Sequence, residues 1–294
     1  MKIFTDNNID LKNPALILGF FDGIHLGHQK VIKTATDYAC KLGKPIALIT
    51  FKNSPSEYFK KDFQYIYPRK ISYEKISQLG VDYIIELDFE KLADITAKEY
   101  LKNLIEKYSP ISISTGFNHT FGKNKLGDSE FLKASQTIYN YKYHCTPPVE
   151  IENILVCSTI IKEFISKGEI IKANKLLGSP FLLEGPVIQG AKIGRKIGFP
   201  TANIEYPKDI VKLPFGVYAI RTLNQVSVMN WGIKPTFNAK EPVLEIHIPN
   251  HNTDLYDQIL QIEVLKKIRD EKKFESTEDL KIQIKKDIEE CLKL

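Results

Sequence analysis

The sequence predicts a two-domain α/β plus β protein. The first part is a parallel, doubly wound sheet, and the second is a small antiparallel β-barrel followed by a C-terminal helix. Up to about residue 177, strand and helix signals alternate, which is typical of βαβ units. After Gly178-Ser-Pro180, short β-type segments follow one another between turn residues, which is typical of a barrel. A length of 294 residues suits two domains, which we predict at 1–180 and 181–294.

In the first part, the predicted helices and strands alternate in the order that a parallel sheet requires. Helices are predicted near 31–39, 73–78 and 96–108. The last of these begins with a capping box between Thr96 and Glu99, whose side chains can satisfy free backbone amides. Two short helices follow at 159–167 and 169–177. The buried strands that alternate with the first three helices are predicted at 16–20, 46–51, 81–87 and 111–115.

The second part is predicted to be β-structure, except for a helix at its C-terminal end. Short segments with strand character are predicted at 182–187, 216–220, 226–229, 244–248 and 261–264. The chain then closes with an amphipathic helix that Ser276 to Asp279 can cap. On that helix Leu280, Ile284 and Ile288 share one face.

The composition limits which classes of partner we expect for the protein. The net charge of +5 comes from 41 basic and 36 acidic residues that are scattered along the chain, so it suits small anionic ligands better than nucleic acid. The four cysteines form no C-x-x-C pair and are expected to be free thiols. No signal peptide or apolar run of membrane-spanning length is visible. We expect a soluble cytoplasmic protein without a nucleic-acid or membrane partner, and leave weak self-association open.

A histidine pair marks the first candidate site. The segment Gly19-Phe-Phe-Asp-Gly-Ile-His-Leu-Gly-His28 joins the first predicted strand to the first helix. His25 and His28 are three residues apart, so they share a face at a helix start, where free amides and the helix dipole attract anions. Gly27 between them leaves room for a flat ligand. The structural alternative is a pair of surface histidines on an ordinary helix.

A glycine-rich segment marks the second candidate site. Its glycines let the backbone approach a ligand, and its amides can cradle phosphate. Pro200 then stiffens the chain beside Thr201 and Asn203, whose oxygens suit Mg²⁺ next to phosphates. The alternative is a series of β-turns with solvated cations. The residues of the segment that we assign to ATP or phosphate binding are Gly190, Lys192, Gly194, Arg195, Gly198 and Pro200.

Both segments resemble parts of one family, the bacterial bifunctional riboflavin kinase/FAD synthetases. Residues 19–28 resemble the signature of its H-x-G-H nucleotidyltransferase module, and residues 190–203 resemble its riboflavin kinase signature. Further segments resemble family landmarks in the same order along the chain. These segments are 116–122, 127–128, 157–162, 213–218, 232–237, 244–247, 254–256 and 268–274.

The resemblance implies a fold and two reactions. The first part would be a Rossmann-like nucleotidyltransferase domain that adenylylates FMN to FAD, releasing pyrophosphate. The barrel would be a kinase that phosphorylates riboflavin to FMN with Mg²⁺ and ATP, releasing ADP. Glu245 would be its general base, and the alternation with Leu244 and Ile246 independently places Glu245 on the opposite face of its strand.

The resemblance also implies roles for individual residues. His25 and His28 would act in adenylyl transfer, Arg269 would bind the flavin, and Thr201 and Asn203 would hold Mg²⁺. Outside the glycine-rich segment, the residues that would contact ATP or phosphate are Gly19, Phe21, Asp22, Gly27, Asn118, Ser158 and Thr159. For Ser158 and Thr159 an N-cap of the following helix is an equal interpretation.

Some positions depart from the family pattern. The family's Asp-Pro-His is Lys52-Asn-Ser54 here, position 119 is His instead of Phe, and positions 160 and 162 are Ile and Lys instead of Arg. Lysine is a point charge and lacks the planar fork with which arginine grips phosphate. Two alternatives therefore stay open. One is a riboflavin kinase with a weakened or regulatory nucleotidyltransferase domain, and the other is a non-catalytic flavin or nucleotide sensor.

Overall fold

The computed structural model describes residues 1–5, 9–55, 58, 63–190, 193–233, 242–249 and 254–294. Contacts within the chain divide it into two compact units. The first consists of Met1–Tyr65 with Arg69–Ser158, and the second of Ile66–Pro68 with Thr159–Leu294. Each unit is described by itself.

The first unit is built on a six-stranded sheet in which every neighbouring pair is parallel. The strand order is β1-β4-β3-β2-β5-β6. The strands are β1 (Lys2–Thr5), β2 (Ala15–Leu18), β3 (Ile46–Phe51), β4 (Tyr83–Leu87), β5 (Ser112–Gly116) and β6 (Lys142–Thr146). The predicted parallel sheet is confirmed. The sequence analysis missed the two edge strands, β1 and β6, which carry mostly exposed or half-buried side chains.

Helices cover both faces of this sheet, as predicted for a doubly wound fold. They are α1 (Leu26–Lys41), α2 (Arg69–Gln78), α3 (Phe89–Leu92), α4 (Ala97–Tyr108) and α5 (Ser129–Tyr139). One core contains Val31 and Ile32 of α1 with Ile76 of α2. The other core contains Leu104 of α4 and Leu132 of α5. The capping box at the start of α4 is present, with both reciprocal hydrogen bonds between Thr96 and Glu99.

The connections create a crevice beside β2. From β2 the chain continues to β3 and β4 on one side, whereas β5 and β6 lie on the other side. The loops that leave the carboxyl ends of β2 and β5 therefore diverge. In open parallel sheets this switch point is where ligands bind. A short antiparallel pair, β7 (Glu150–Ile151) and β8 (Ile154–Leu155), completes the unit.

The second unit begins with two helices, α6 (Ser158–Ser166) and α7 (Ile170–Leu177). Ser158, the first residue of α6, groups with the first unit. Asn174 fastens α7 to the barrel: its amide nitrogen donates to the carbonyl of Val264 at 2.9 Å, and its amide oxygen accepts from the backbone N–H of Phe181 at 2.8 Å. These helices therefore pack as part of the barrel unit.

The barrel itself is closed and antiparallel throughout, as predicted, with strand order β10-β13-β12-β11-β14-β9. Its strands are β9 (Phe181–Ile188), β10 (Ala202–Ile204), β11 (Gly216–Thr222), β12 (Gln225–Gly232), β13 (Val243–His247) and β14 (Ile259–Arg269). A short helical turn, α8 (Ile193–Lys196), precedes β10. The sixth strand, β10, lies inside the glycine-rich segment. It was not predicted because three residues carry too little alternation to reveal a strand.

The C-terminal helix α9 (Thr277–Cys291) begins at Ser276, whose hydroxyl accepts from the N–H of Asp279, as predicted. Cys291 and Ile288 pack on Val217 and other apolar residues of the outer barrel face. All four cysteine thiols are free. Within the described residues, no helix combines the length and apolar character that crossing a bilayer demands.

Candidate active sites

The two histidines of the first site form a stacked pair where β2 leads into α1. His25 is the N-cap of α1, and its Nδ1 accepts a hydrogen bond from the backbone N–H of His28 at 3.3 Å. The two rings lie 3.6 Å apart at 17°, and Phe21 packs edge-on against His28 at 5.0 Å. Because Nδ1 of His25 is an acceptor, the neutral ring carries its proton on Nε2. That N–H is a donor available to a ligand.

Burial sets the charge of this pair. Desolvation lowers the pKa of His25 to about 4. It also lowers the pKa of His28 well below its usual range, and the neighbouring His25 adds a smaller lowering. Both rings are therefore neutral near pH 7. Nδ1 of His28 is a buried polar atom without a hydrogen-bond partner in the part of the chain that the structure describes. A neutral pair can offer hydrogen bonds but provides no fixed positive charge.

The two glycines of this loop make room for its own side chains. A Cβ at Gly27 would lie 3.2 Å from ring atoms of His25 and 3.5 Å from the carbonyl oxygen of Val156. A Cβ at Gly19 would lie 3.1 Å from the ring of Phe21. Gly27 therefore first seats the ring of His25, whereas the sequence interpretation emphasised space for a ligand. Asp22, in the same loop, is 4% exposed.

The start of α6 contacts the histidine loop, and the segment after β5 lies on the other side of the crevice. The hydroxyl of Ser158, at the start of α6, donates to the carbonyl of Asp22 at 2.9 Å. This bond holds Ser158 beside the loop. Thr159 follows it in the helix. Asn118 is exposed and follows β5, on the other side of the crevice from the histidine loop.

One residue near this crevice was noted only as a departure from the family pattern. His119 has a buried Nε2 that lacks a partner among the described residues. Its ring stacks on Phe121 at 5.8 Å. Burial lowers the pKa of His119 to about 4. His119 is therefore a neutral aromatic ring at the position where the family pattern has Phe.

The second site lies on the barrel, where Thr201 meets Glu245. The hydroxyl of Thr201 donates to Oε1 of Glu245 at 3.4 Å. Asn203 of β10 is the direct cross-strand partner of Glu245 on β13. Glu245 is half-buried and lies between the buried Leu244 and Ile246, as the alternation predicted. Residues 42 to 44 positions apart in the sequence are thus brought together by strand pairing.

The glycines of the second site let the segment fold onto these side chains. A Cβ at Gly190 would lie 2.1 Å from Nδ2 of Asn203. A Cβ at Gly194 would lie 2.2 Å from the carbonyl oxygen of Phe199 and 3.2 Å from Oγ1 of Thr201. A side chain at either position would displace a proposed metal ligand. Gly198 adopts φ 91°, a conformation that favours glycine. Lys192 lies outside the described residues.

A cleft of about 370 Å³ opens beside Thr201. It includes Arg195 and Pro200 of the glycine-rich segment and the Asp254-Leu-Tyr256 landmark. Its wall also contains the apolar residues Val187, Ala202, Ile246 and Ile248. The sequence analysis missed this wall because its residues read as ordinary strand positions.

His247, to which the sequence analysis assigned no role, supports the second site. Its Nδ1 donates to the carbonyl of Pro200 at 2.9 Å, and its ring meets Phe199 edge-on at 5.6 Å. It shares the outer face of β13 with Glu245. That shared face was the signal available in the sequence.

Arg269, at the end of β14, is held by the C-terminal helix. Its Nε lies 3.0 and 3.2 Å from the two carboxylate oxygens of Asp287, and its Nη2 lies 2.8 Å from Oδ2. Asp287 is 3% exposed and also accepts from Gln283 at 2.9 Å. Nη1 of Arg269 donates to the carbonyl of Asp270. Asp287 was missed, because a polar helix residue normally reads as a solvent-facing one.

The available donors limit which metal the protein could hold. Within the described residues, no group of three or more His, Cys, Asp or Glu side chains could hold a metal ion. The hydroxyl of Thr201, the amide of Asn203 and the carboxylate of Glu245 nevertheless provide oxygen donors next to one another. Mg²⁺ in phosphate-binding sites uses few protein oxygens and completes its shell with water and phosphate. The donor set fits such an ion.

Two family models match the chain. The model described as FAD synthetase matches residues 8–160. The model described as riboflavin kinase matches residues 177–294. The matches fall on the parallel-sheet part and on the barrel part, respectively.

Several curated proteins are similar over nearly the whole length. The bifunctional riboflavin kinase/FMN adenylyltransferase of Bacillus subtilis (strain 168) is 34% identical over 95% of this chain and 91% of its own. The protein of the same name from Buchnera aphidicola subsp. Schizaphis graminum is 36% identical over 94% of this chain and 92% of its own. A solved Streptococcus pneumoniae structure, described as a macrolide-efflux protein, is 32% identical with a TM-score of 0.88, covering 98% of this chain and 97% of its own.

Proposed function

Because the chain belongs to the family of bifunctional riboflavin kinase/FMN adenylyltransferases, we propose that residues 181–294 carry out its kinase reaction and residues 1–180 its adenylyl transfer. The chain is a bifunctional transferase of flavin cofactor biosynthesis, which forms FMN from riboflavin and FAD from FMN with ATP. The helices α6 and α7 pack with the barrel. In sequence order they fall within residues 1–180.

The pairing of Thr201 with Glu245 carries the kinase proposal. Glu245 accepts the proton of the terminal ribityl hydroxyl of riboflavin, and the resulting oxygen attacks the γ-phosphorus of ATP, so that ADP leaves. A positioned carboxylate next to phosphate ligands is what this in-line transfer needs. Thr201 lies within 3.4 Å of Glu245, so the group that binds phosphate and the group that takes the proton are adjacent. Arg195 and the cleft beside it bind the nucleotide.

Thr201 and Asn203 would hold Mg²⁺ together with ATP. When bound, the ion would neutralise charge on the phosphates. Gly190 and Gly194 are required for this arrangement because any side chain there would push on Asn203 or Thr201. Gly198 and Pro200 fix the turn that precedes Thr201, and Lys192 would add a positive charge that favours phosphate.

Arg269 binds the flavin with the part of its guanidinium that Asp287 leaves free. The bidentate contact with Asp287 fixes the plane of the guanidinium. A fixed plane loses less entropy when it donates to a ligand. Arg269 therefore recognises the flavin as a preorganised donor.

The histidine pair carries out the second reaction by stabilising charge. The FMN phosphate attacks the α-phosphorus of ATP, and pyrophosphate leaves. No nucleophilic side chain is needed, because hydrogen-bond donors aimed at the developing charge supply the catalysis. His25 and His28 are neutral donors, so they assist without a proton loss of their own. The remaining phosphate contacts come from Gly19, Phe21, Asp22, Gly27, Asn118, Ser158 and Thr159.

Flavin chromatography tests this division. Purified protein is incubated with riboflavin, ATP and Mg²⁺, and in parallel with FMN in place of riboflavin. We expect FMN and then FAD in the first reaction, and FAD in the second. Formation of FMN without FAD from either substrate would favour a regulatory first domain. Formation of neither would favour a flavin or nucleotide sensor.

A further inference from the structure

Strand pairing places the residues of the second site in one row across the barrel. Asn203 pairs with Glu245, Glu245 pairs with Asn230, Asn230 pairs with Val217, and Val217 pairs with Arg269. Directly opposite residues of antiparallel strands point to the same face of a sheet. The row therefore lies on the outer barrel face and joins a proposed metal ligand, the proposed base and the proposed flavin-binding arginine.

Asn230 is the one polar member of this row to which no role is assigned above. It is half-buried and lies between the buried Met229 and Trp231 on β12, so its side chain points outward, as that of Glu245 does. The Cβ atoms of directly opposite residues lie about 4.5–5.5 Å apart. Asn230 is therefore the direct cross-strand neighbour of Glu245 on the side that leads to Arg269.

The rest of the row limits what could contact Asn230. Val217 is 3% exposed because α9 covers it, so this position is closed to a ligand. The register between β11 and β14 shifts next to Val217, and such bulges redirect side chains near binding sites. Here the shift accompanies the turn of Arg269 towards Asp287. In this row, Asn230 is therefore the half-buried position next to Glu245 that a ligand could still contact.

We propose that Asn230 binds a hydroxyl of the ribityl chain, next to the terminal hydroxyl that Glu245 deprotonates. This inference rests on the kinase function proposed above. A carboxamide both donates and accepts hydrogen bonds, as do the neutral hydroxyls of a polyol. Contact there aligns the chain so that its terminal oxygen lies between Glu245 and the phosphate.

The test compares riboflavin with lumiflavin, a flavin that has a methyl group in place of the ribityl chain. Flavin fluorescence gives the Kd of each for the full-length wild-type protein and for the Asn230→Ala variant, with MgADP present. Loss of one hydrogen bond is expected to weaken riboflavin binding by about tenfold. The Kd of lumiflavin and the KM of ATP are expected to stay unchanged.

Further variants separate this contact from other effects. Gln225→Ala removes an amide from the opposite end of β12, where it donates to the carbonyl of Pro249, and it should leave riboflavin binding unchanged. If Asn230→Ala folds poorly, Asn230→Ser provides a second variant: it replaces the carboxamide with a hydroxyl, which also donates and accepts, and should retain part of the affinity. FAD formation from supplied FMN monitors the integrity of the chain.

Two results would overturn the inference. Equal weakening of riboflavin and lumiflavin would mean that Asn230 does not contact the ribityl chain. A fall in kcat with unchanged riboflavin Kd would mean that Asn230 acts by orienting Glu245. A wild-type protein that forms no FMN would instead refute the kinase proposal itself, so the two failures are distinguishable.

Discussion

The two sites are assembled in different ways. The histidine site uses residues close in sequence: His25 caps α1, and its ring stacks on His28 three positions later. The barrel site is assembled by strand pairing, which joins Thr201 to Glu245 and Arg269 to Asp287. The first can form with one turn of helix, whereas the second requires a closed barrel.

The sites also differ in charge. Burial keeps both histidines neutral, whereas the barrel site contains a half-buried carboxylate and an arginine in a charged pair. The first site therefore offers hydrogen bonds to phosphate, and the second offers a proton acceptor and a fixed cation. Substitutions should separate the two reactions cleanly.

The variant Glu245→Gln should separate the two reactions most strongly. It removes the proton acceptor and keeps the size of the side chain, so we expect kcat for FMN formation to fall by about 10³, as general-base losses do. FAD formation from supplied FMN should be unchanged. Glu263→Gln, which alters a barrel carboxylate paired with Arg221 at 2.9 Å, is the matched control. Full FMN formation by Glu245→Gln would disprove the base assignment.

His28→Ala should have the opposite selectivity. Removing one donor of the pair should lower kcat for FAD formation by about 10² to 10³, and FMN formation from riboflavin should persist. His144→Ala is the control, because His144 also packs against α1, through Tyr38 at 4.7 Å, but from β6. Loss of FMN formation with intact FAD formation would reverse the division of labour.

Much of the fold was predictable because the sequence shows the apolar periodicity of its helices and strands. The central strand Ile46–Phe51 and the cap of α4 agree with the predicted residues. The edge strand β6 and the three-residue β10 were missed because neither has a clear apolar alternation. Their positions follow from pairing with neighbours that are distant in sequence.

Site residues were predictable where a single sequence segment includes them. Periodicity alone placed Glu245 on the outer face of its strand, and the structure agrees. Asn230 and Asp287 could not be found that way, because each gains its neighbour only through strand register or helix docking. Side chains with such partners look like ordinary surface residues in a sequence.

Acid should affect the histidine site more than the barrel. The pKa of His25 is lowered from 6.5 to about 4, so the unfolded chain binds a proton at a higher pH than the folded one. Stability is therefore lost as pH falls from about 6.5 towards 4, by about 3 kcal/mol for this residue, since each pKa unit corresponds to about 1.4 kcal/mol.

The measurement uses the position of the single tryptophan. Trp231 lies in the barrel, so its fluorescence follows the second unit, whereas the NMR signals of His25 and His28 follow the first. We expect the first unit to unfold at lower temperature at pH 5 than at pH 7, with a smaller change for Trp231. The double variant His25→Gln with His28→Gln should flatten the difference. Titration of both rings near pH 6.5 in the folded protein would contradict the prediction.

Asp287→Asn should have the smallest effect and tests how far the barrel site extends. Asparagine keeps the shape of the side chain but loses the charge that orients Arg269, so the KM for riboflavin should rise about tenfold with little change in kcat. Glu290→Gln alters the pair with Lys266 at 3.2 Å on the same helix and strand and should leave KM unchanged. Because Asp287 is buried, Asp287→Asn should also lower the unfolding midpoint, and kinetics must be measured well below it.

The two effects of Asp287 can be separated. A purely structural role would lower the unfolding midpoint and the amount of active enzyme but leave the KM of the folded fraction unchanged. An orienting role raises the KM for riboflavin and leaves the KM for ATP unchanged. Since Arg269 keeps its bond to the Asp270 carbonyl in the variant, part of its orientation should remain, which is why we expect a tenfold effect and not complete loss. An unchanged riboflavin KM would confine the flavin site to the barrel strands and exclude α9 from it.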